Sequence, residues 1–205
     1  MPVYEHDAFP QLIQAIRDTF EAGVTQNSEA ASELAQVLEI FDNLTTKRVG
    51  PQPQSCPGFR YLAEALQKTD SPIAAPFGQL AEQLHWVQNS NYTTDPRMAS
   101  FVANYGYVNI IGPSSIIPSN SIASGFLILG PNQLYPPHYH PATEVYFAVS
   151  GEARWQRGEE EWRQLPPGSF IFHDKHVPHA TQTLDEPLLA LYVWRNHLNT
   201  AARLV

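Results

Sequence analysis

Apolar positions in the first part of the chain recur at helical spacing. Phe9, Leu12, Ile13, Ile16 and Phe20 form one stripe, and Ala31, Leu34, Val37, Leu38 and Phe41 form a second. Two amphipathic helices are therefore predicted, with Asn27–Ser28 as N-cap of the second. Pro51, Pro53 and Pro57 interrupt the pattern. A third helix is expected over Phe59–Gln67. Ser71–Pro72 reads as a cap and first-turn proline of a fourth, running to about Leu84. From about Tyr107 the period shortens. Ser121–Leu129, Glu144–Val149, Ala153–Arg157, Ser169–Phe172 and Leu188–Trp194 are short β-branched or aromatic runs bounded by Gly, Pro and Asp signals. Many short strands at this spacing predict a sandwich or barrel. The expected fold class is mainly β with a helical N-terminal half: residues 1–100 as a helical region packed on a barrel of residues 101–205.

Composition narrows the partners. With 43% hydrophobic residues in 205 the chain can bury a core, which excludes wholesale disorder. Acidic residues number 20 against 12 basic, a net charge of −8, and residues 1–84 hold 11 acidic and 5 basic. Arg17, Lys47, Arg48, Arg60 and Lys68 are too few for a recognition helix, so no nucleic-acid or anionic-membrane partner is expected. A lone Cys56 cannot form an internal disulfide, and Glu5 and Asp7 stand where a secretory signal would be basic. The longest apolar stretch, around Gly125–Gly130, falls far short of the ~20 residues that span a bilayer. These features predict a soluble cytoplasmic protein, and an exposed sheet face would favour a homodimer.

Chemistry concentrates in one window. Five of the eight histidines fall between His138 and His179. On an extended strand, even offsets share a face, which would place His138, His140, Glu144 and Tyr146 together, with Pro141 as a local disturbance. Two imidazoles and a carboxylate are metal donors, and His179 is the best fourth ligand from another strand. Neutral imidazole plus carboxylate suits one divalent transition metal, Zn, Fe, Mn or Ni, with positions left open for water or substrate. His173 and His176 are both read as ordinary polar groups, His176 being the better placed of the two to support the ligands.

These residues resemble the cupin motifs. Gly130–Gly151 is similar to the first, with His-x-His-x3-Glu-x6-Gly intact, and Pro167–His179 to the second, although seven residues separate Gly130 from His138 and Thr183 replaces the usual Asn. The resemblance implies a double-stranded β-helix barrel with the metal inside. A narrower likeness is to the cupin-type dimethylsulfoniopropionate (DMSP) lyases, a group with a helical N-terminal half. Tyr135 stands three residues before the first ligand histidine, Tyr146 two after the ligand Glu, and Trp194 on the strand following the last ligand histidine.

That likeness implies a small-molecule substrate and a β-elimination releasing dimethyl sulfide and acrylate. The ordinary phenol pKa of ~10 makes tyrosine a weak base, but a nearby divalent cation favours phenolate. Tyr146 is the preferred base, with Tyr135 as competitor or as the group that orients substrate. Along residues 188–194 one parity is aliphatic (Leu189, Leu191, Val193) and the other is Ala190, Tyr192 and Trp194. If the latter faces the barrel interior, Tyr192 and Trp194 could hold a sulfonium by cation–π attraction. The same motif also fits a metal-dependent dioxygenase or isomerase acting on another small carboxylate or sugar, or a non-catalytic small-molecule-binding cupin.

Overall fold

The computed structural model describes residues 3–45, 48, 50 and 52–205; Lys47 and Pro51, named above, lie outside them. Among the described residues, six helices are α1 (Ala8–Thr25), α2 (Ala31–Phe41), α3 (Leu62–Gln67), α4 (Ala74–Leu80), α5 (Ser90–Thr93) and α6 (Ala99–Val102). Twelve strands follow in chain order: β1 (Trp86–Val87), β2 (Tyr105–Gly112), β3 (Ile117–Pro118), β4 (Ile122–Leu129), β5 (Leu134–Tyr139) and β6 (Thr143–Ser150) come first. They continue as β7 (Ala153–Arg157), β8 (Arg163–Leu165), β9 (Phe170–His173), β10 (His179–Thr183), β11 (Leu188–Arg195) and β12 (Arg203–Leu204).

The strands make two sheets. The larger runs β1-β2-β4-β11-β6-β9 with β3 beside β2, and the smaller runs β12-β5-β10-β7-β8. Every pairing is antiparallel except β2 with β3. This is the mainly β, helix-fronted architecture expected from the sequence.

Two cores explain the apolar pattern. One joins the helices to the outer face of the larger sheet: Phe9, Leu12, Ile16, Phe20 and Leu34 pack with Phe126, Leu189, Leu191 and Val193. The other lies between the sheets and takes Leu127, Tyr146, Trp155, Ala190 and Tyr192. A sheet covered on both faces loses polar alternation, which is why Ile122–Leu129 reads as a nearly continuous apolar run and is buried throughout. The two parities of β11 divide as expected, aliphatic side chains toward the helices and Tyr192 with Trp194 toward the interior.

Two local expectations change. Asn27–Ser28 does not cap α2, whose N-cap is Ala30 with no side-chain hydrogen bond. Asn27 takes a left-handed conformation (φ 50°), and the Ser28 hydroxyl donates to the Gly23 carbonyl, so the pair closes α1. The third predicted helix opens as a tight 3-10 turn over Pro57–Tyr61 before α3, and the fourth starts at Ala74, later than Ser71–Pro72 suggested.

Candidate active site

The histidine–glutamate cluster does not sit on one strand. β5 ends at Tyr139, the chain turns through His140–Ala142, and β6 begins at Thr143 in the other sheet. Pro141 therefore marks a corner between sheets, so even-offset parity does not extend from His138 to Glu144. His138 and His140 arrive from the smaller sheet, and Glu144 and Tyr146 from the larger. His179, first residue of β10, pairs in register with His138.

A bulge sets Tyr135. Thr181 pairs with Tyr135 while His179 pairs with His138, so three steps of β5 face two of β10. Pro136 and Pro137 occupy the extra length, where the absent N–H donors cost no ladder bond. The bulge turns Tyr135 to the face of His138, and the two rings stack at 3.8 Å and 7°. Thr183, in place of the motif-two Asn, ties the end of β10 to the turn between β4 and β5: its hydroxyl donates to the Gly130 carbonyl at 2.7 Å and accepts from the Gln133 N–H at 2.8 Å.

His140, Glu144 and His179 are buried and offer one ligand atom each, all within 4.8 Å of one another. His140 Nε2 and His179 Nε2 stand 3.1 and 3.2 Å from the same oxygen, Glu144 Oε2. Each ring is oriented from behind: His138 Nδ1 faces the Pro136 carbonyl, His140 Nδ1 that of Ala142, and His179 Nδ1 that of Val177, at 2.9–3.0 Å. A carbonyl accepts only, so each Nδ1 donates and Nε2 is directed inward. His179 Nε2 is buried with no hydrogen-bond partner. Inward imidazole nitrogens around one carboxylate oxygen fit a divalent transition metal. His138 lies outside this close trio, its ring 4.2 Å from His179 and 6.4 Å from His140.

Burial opposes the charge on Glu144, but the attraction of the neighbouring His140 and His179 wins and holds it well below the usual carboxylate range. His138 is pushed well down by burial and by His179, so it stays neutral. Tyr146 and Tyr135 are both pushed far up by burial, with the Glu144 charge adding to the effect at Tyr146. The other carboxylate oxygen of Glu144 accepts from Trp194 Nε1 at 2.5 Å.

A cavity of about 320 Å³ opens onto this cluster. Glu144, Tyr135, Tyr146, Tyr192 and Trp194 line it, with the Pro113–Ser115 turn and the segment from Leu198 to Ala202 toward its outside. Among the described residues, no lysine or arginine lines it.

His173 and Tyr92 are two site residues that the sequence pattern did not reveal, and His176 stands differently. His176 is exposed and left-handed (φ 63°), and only its backbone N–H reaches the site, donating to the His140 carbonyl. His173, by contrast, is buried and stacks on His179 at 4.1 Å, opposite Glu144 on the β6–β9 ladder. The strand signal of Phe170–His173 ends on an inward position, which could have marked His173. Tyr92 of α5 is fully buried, and its hydroxyl lies 3.2 Å from that of Tyr135. Nothing in the pattern of residues 85–104 announced it.

This fold and donor set define a cupin with a candidate metal centre between its two sheets. Residues 29–190 match the family described as dimethylsulfoniopropionate lyase. The chain is 38% identical over 175 residues to dimethylsulfoniopropionate lyase DddQ of Ruegeria pomeroyi, covering 82% of this chain and 83% of that one. The crystal structure of DMSP lyase DddQ from Ruegeria pomeroyi superposes with a TM-score of 0.73 at 28% identity, over 92% of this chain and 96% of that one. A chain from the crystal structures of the DMSP lyases RdDddP and RnDddQII gives 0.74 at 23% identity, over 97% of both chains, and shares the fold. The protein belongs to the dimethylsulfoniopropionate lyase family. No helix among the described residues is long and apolar enough to cross a membrane.

Proposed function

We propose that the protein is a carbon–sulfur lyase that cleaves DMSP to dimethyl sulfide and acrylate. The observation that carries this reading is the pairing of a buried two-histidine, one-carboxylate cluster with an aromatic cavity whose lining, among the described residues, holds no cationic side chain. A zwitterion with a carboxylate at one end and a sulfonium at the other suits such a cavity. With no lysine or arginine among the described lining residues to take the carboxylate, that end belongs at the donor cluster, and the sulfonium belongs against Trp194 and Tyr192.

His140, Glu144 and His179 would hold one divalent metal, Zn, Fe, Mn or Ni, and His138 completes the ligand set in this reading. When bound, the metal supplies Lewis acidity toward the substrate carboxylate and a positive charge that favours phenolate. Tyr146, beside Glu144, takes the α-proton through its phenolate oxygen. The C–H electron pair becomes the new Cα=Cβ double bond as the Cβ–S bond breaks, and dimethyl sulfide leaves with the Cβ–S bonding pair. Tyr135, held against His138 and bonded to Tyr92, orients the carboxylate end. The helical region, residues 1–100, serves as a wall against the barrel of residues 101–205. The single cysteine and acidic surface favour a cytoplasmic setting.

The test is reconstitution of metal-stripped protein with Zn, Mn, Fe or Ni, followed by DMSP and quantification of dimethyl sulfide and acrylate. Stoichiometric release of both, lost in Tyr146→Phe with metal content unchanged, is the expected result. Tight metal binding without release under any metal would overturn the substrate assignment. Fast release by Tyr146→Phe would move the base to Tyr135.

A further inference from the structure

The helical layer reaches the strands of the candidate metal centre through one buried carboxylate. Glu33 lies on α2 and is 8% exposed. Its Oε2 accepts from Arg195 Nη2 at 2.8 Å, and its Oε1 accepts from Arg195 Nε at 2.5 Å and from the Thr143 hydroxyl at 2.7 Å. Arg195 and Thr143 face each other on the β11–β6 ladder, and the adjacent rung is Trp194 opposite Glu144. Side chains of successive strand residues point to opposite faces. One rung therefore carries Glu144 and Trp194 into the cavity, joined by the indole–carboxylate bond, while its neighbour carries Thr143 and Arg195 outward to Glu33.

We propose that Glu33 is a positioning residue for the metal centre: it clamps Arg195 to Thr143 and thereby fixes the separation of β6 and β11 where Glu144 and Trp194 meet. β6 and β11 both end at this place, at Thr143 and Arg195, where no further rung holds the two strands together. A bidentate guanidinium–carboxylate contact is directional as well as charged, so it sets geometry where a lone hydroxyl would not. The second acidic residue of the same region acts elsewhere: Glu29 accepts from the Phe172 N–H and pairs with Arg163, on the β9 and β8 side. Glu33 alone of the two addresses the Glu144 rung.

The proposal rests on Glu144 being a metal ligand, and the experiment separates the two. Zinc affinity is measured by competition against a chromophoric chelator for the wild type, Glu33→Gln, Arg195→Gln, the double variant, Glu144→Gln and Phe20→Leu. Phe20→Leu loosens the core of the helical layer away from this rung and sets the scale for general destabilisation. Trp fluorescence of the zinc-free proteins is recorded alongside, with Trp194→Phe to identify the signal. Glu33→Gln is expected to bind zinc about 10-fold more weakly and to shift the Trp194 emission. Arg195→Gln and the double variant should match it, because the pair acts as a unit. Phe20→Leu should lower the melting temperature and leave both readouts as in the wild type. Affinity and emission that track melting temperature alike in Glu33→Gln and Phe20→Leu would overturn the clamp. Wild-type affinity in Glu33→Gln with loss in Glu144→Gln overturns the clamp alone, whereas wild-type affinity in Glu144→Gln removes the ligand reading and the clamp with it.

Discussion

Trp194 Nε1 donates to Glu144 Oε1 across a single rung of the β6–β11 ladder, while the other carboxylate oxygen faces His140 and His179. The indole therefore holds one oxygen aside and leaves the other for the donor cluster. The ring also lies 4.0 Å from that of His140, so one side chain braces two candidate ligands.

Replacing Trp194 by Phe keeps an aromatic wall and removes the donor. A hydrogen bond to a charged group contributes about 1.5–3 kcal/mol. Trp194→Phe should lower kcat/KM for DMSP by roughly 10- to 100-fold. Trp194→Ala, which also removes the cation-binding face, should fall further, chiefly through KM. Equal loss in the two variants would show that the ring face contributes nothing to substrate binding.

Tyr92 offers a test of how Tyr135 is held. Its hydroxyl is the one hydrogen-bond partner described for the Tyr135 hydroxyl, and both are buried. Tyr92→Phe deletes the neutral hydrogen bond to Tyr135, a net effect of about 0.5–1.5 kcal/mol. The expected outcome is a rise in KM of roughly 2- to 10-fold with little change in kcat, as suits a residue that orients substrate. A loss confined to kcat would instead bring Tyr135 into the proton transfer.

Much of this architecture was legible because burial imposes simple periods. The stripes of α1 and α2 and the split parities of β11 each follow from which neighbour a face must meet. Corners were not legible. Read as one strand, residues 138–146 put His140 beside Glu144 for the wrong geometric reason, since the chain changes sheet at Pro141 and the shared parity is incidental. The Pro136–Pro137 bulge is also a register event between strands far apart in sequence, so Tyr135 entered through family likeness and not through spacing. Tyr92 and Glu33 act from the helical half on partners 43 or more residues away. No local pattern encodes such a contact.

The contrast between buried His173 and exposed His176 can be tested by stability. His173 fills buried space against His179 and near Tyr146, whereas the His176 ring is exposed. His173→Ala should cost about 2–4 kcal/mol by opening a cavity between the sheets. His176→Ala should stay within about 0.5 kcal/mol. Denaturant midpoints of the two variants, compared with the wild type at one pH, decide it. Equal midpoints would return His173 to an incidental place in the core.

The pH dependence of turnover follows from the surroundings of Tyr146. Burial first, and then the charge of Glu144, hold its hydroxyl in the protonated form and push its pKa far above the ordinary phenol value. A base must be deprotonated to act, so the active fraction grows as pH rises toward that pKa. A bound cation lowers the pKa without reversing the sign. The logarithm of kcat/KM should therefore climb with pH at a slope approaching one across the neutral to alkaline range, for as long as the protein stays folded. Glu144 should add no acidic limb near neutrality, because His140 and His179 hold it ionised far below that range. The measurement is initial-rate dimethyl sulfide release at fixed ionic strength with metal in excess. A profile that falls as pH rises through neutrality would require an acid where Tyr146 is assigned as base.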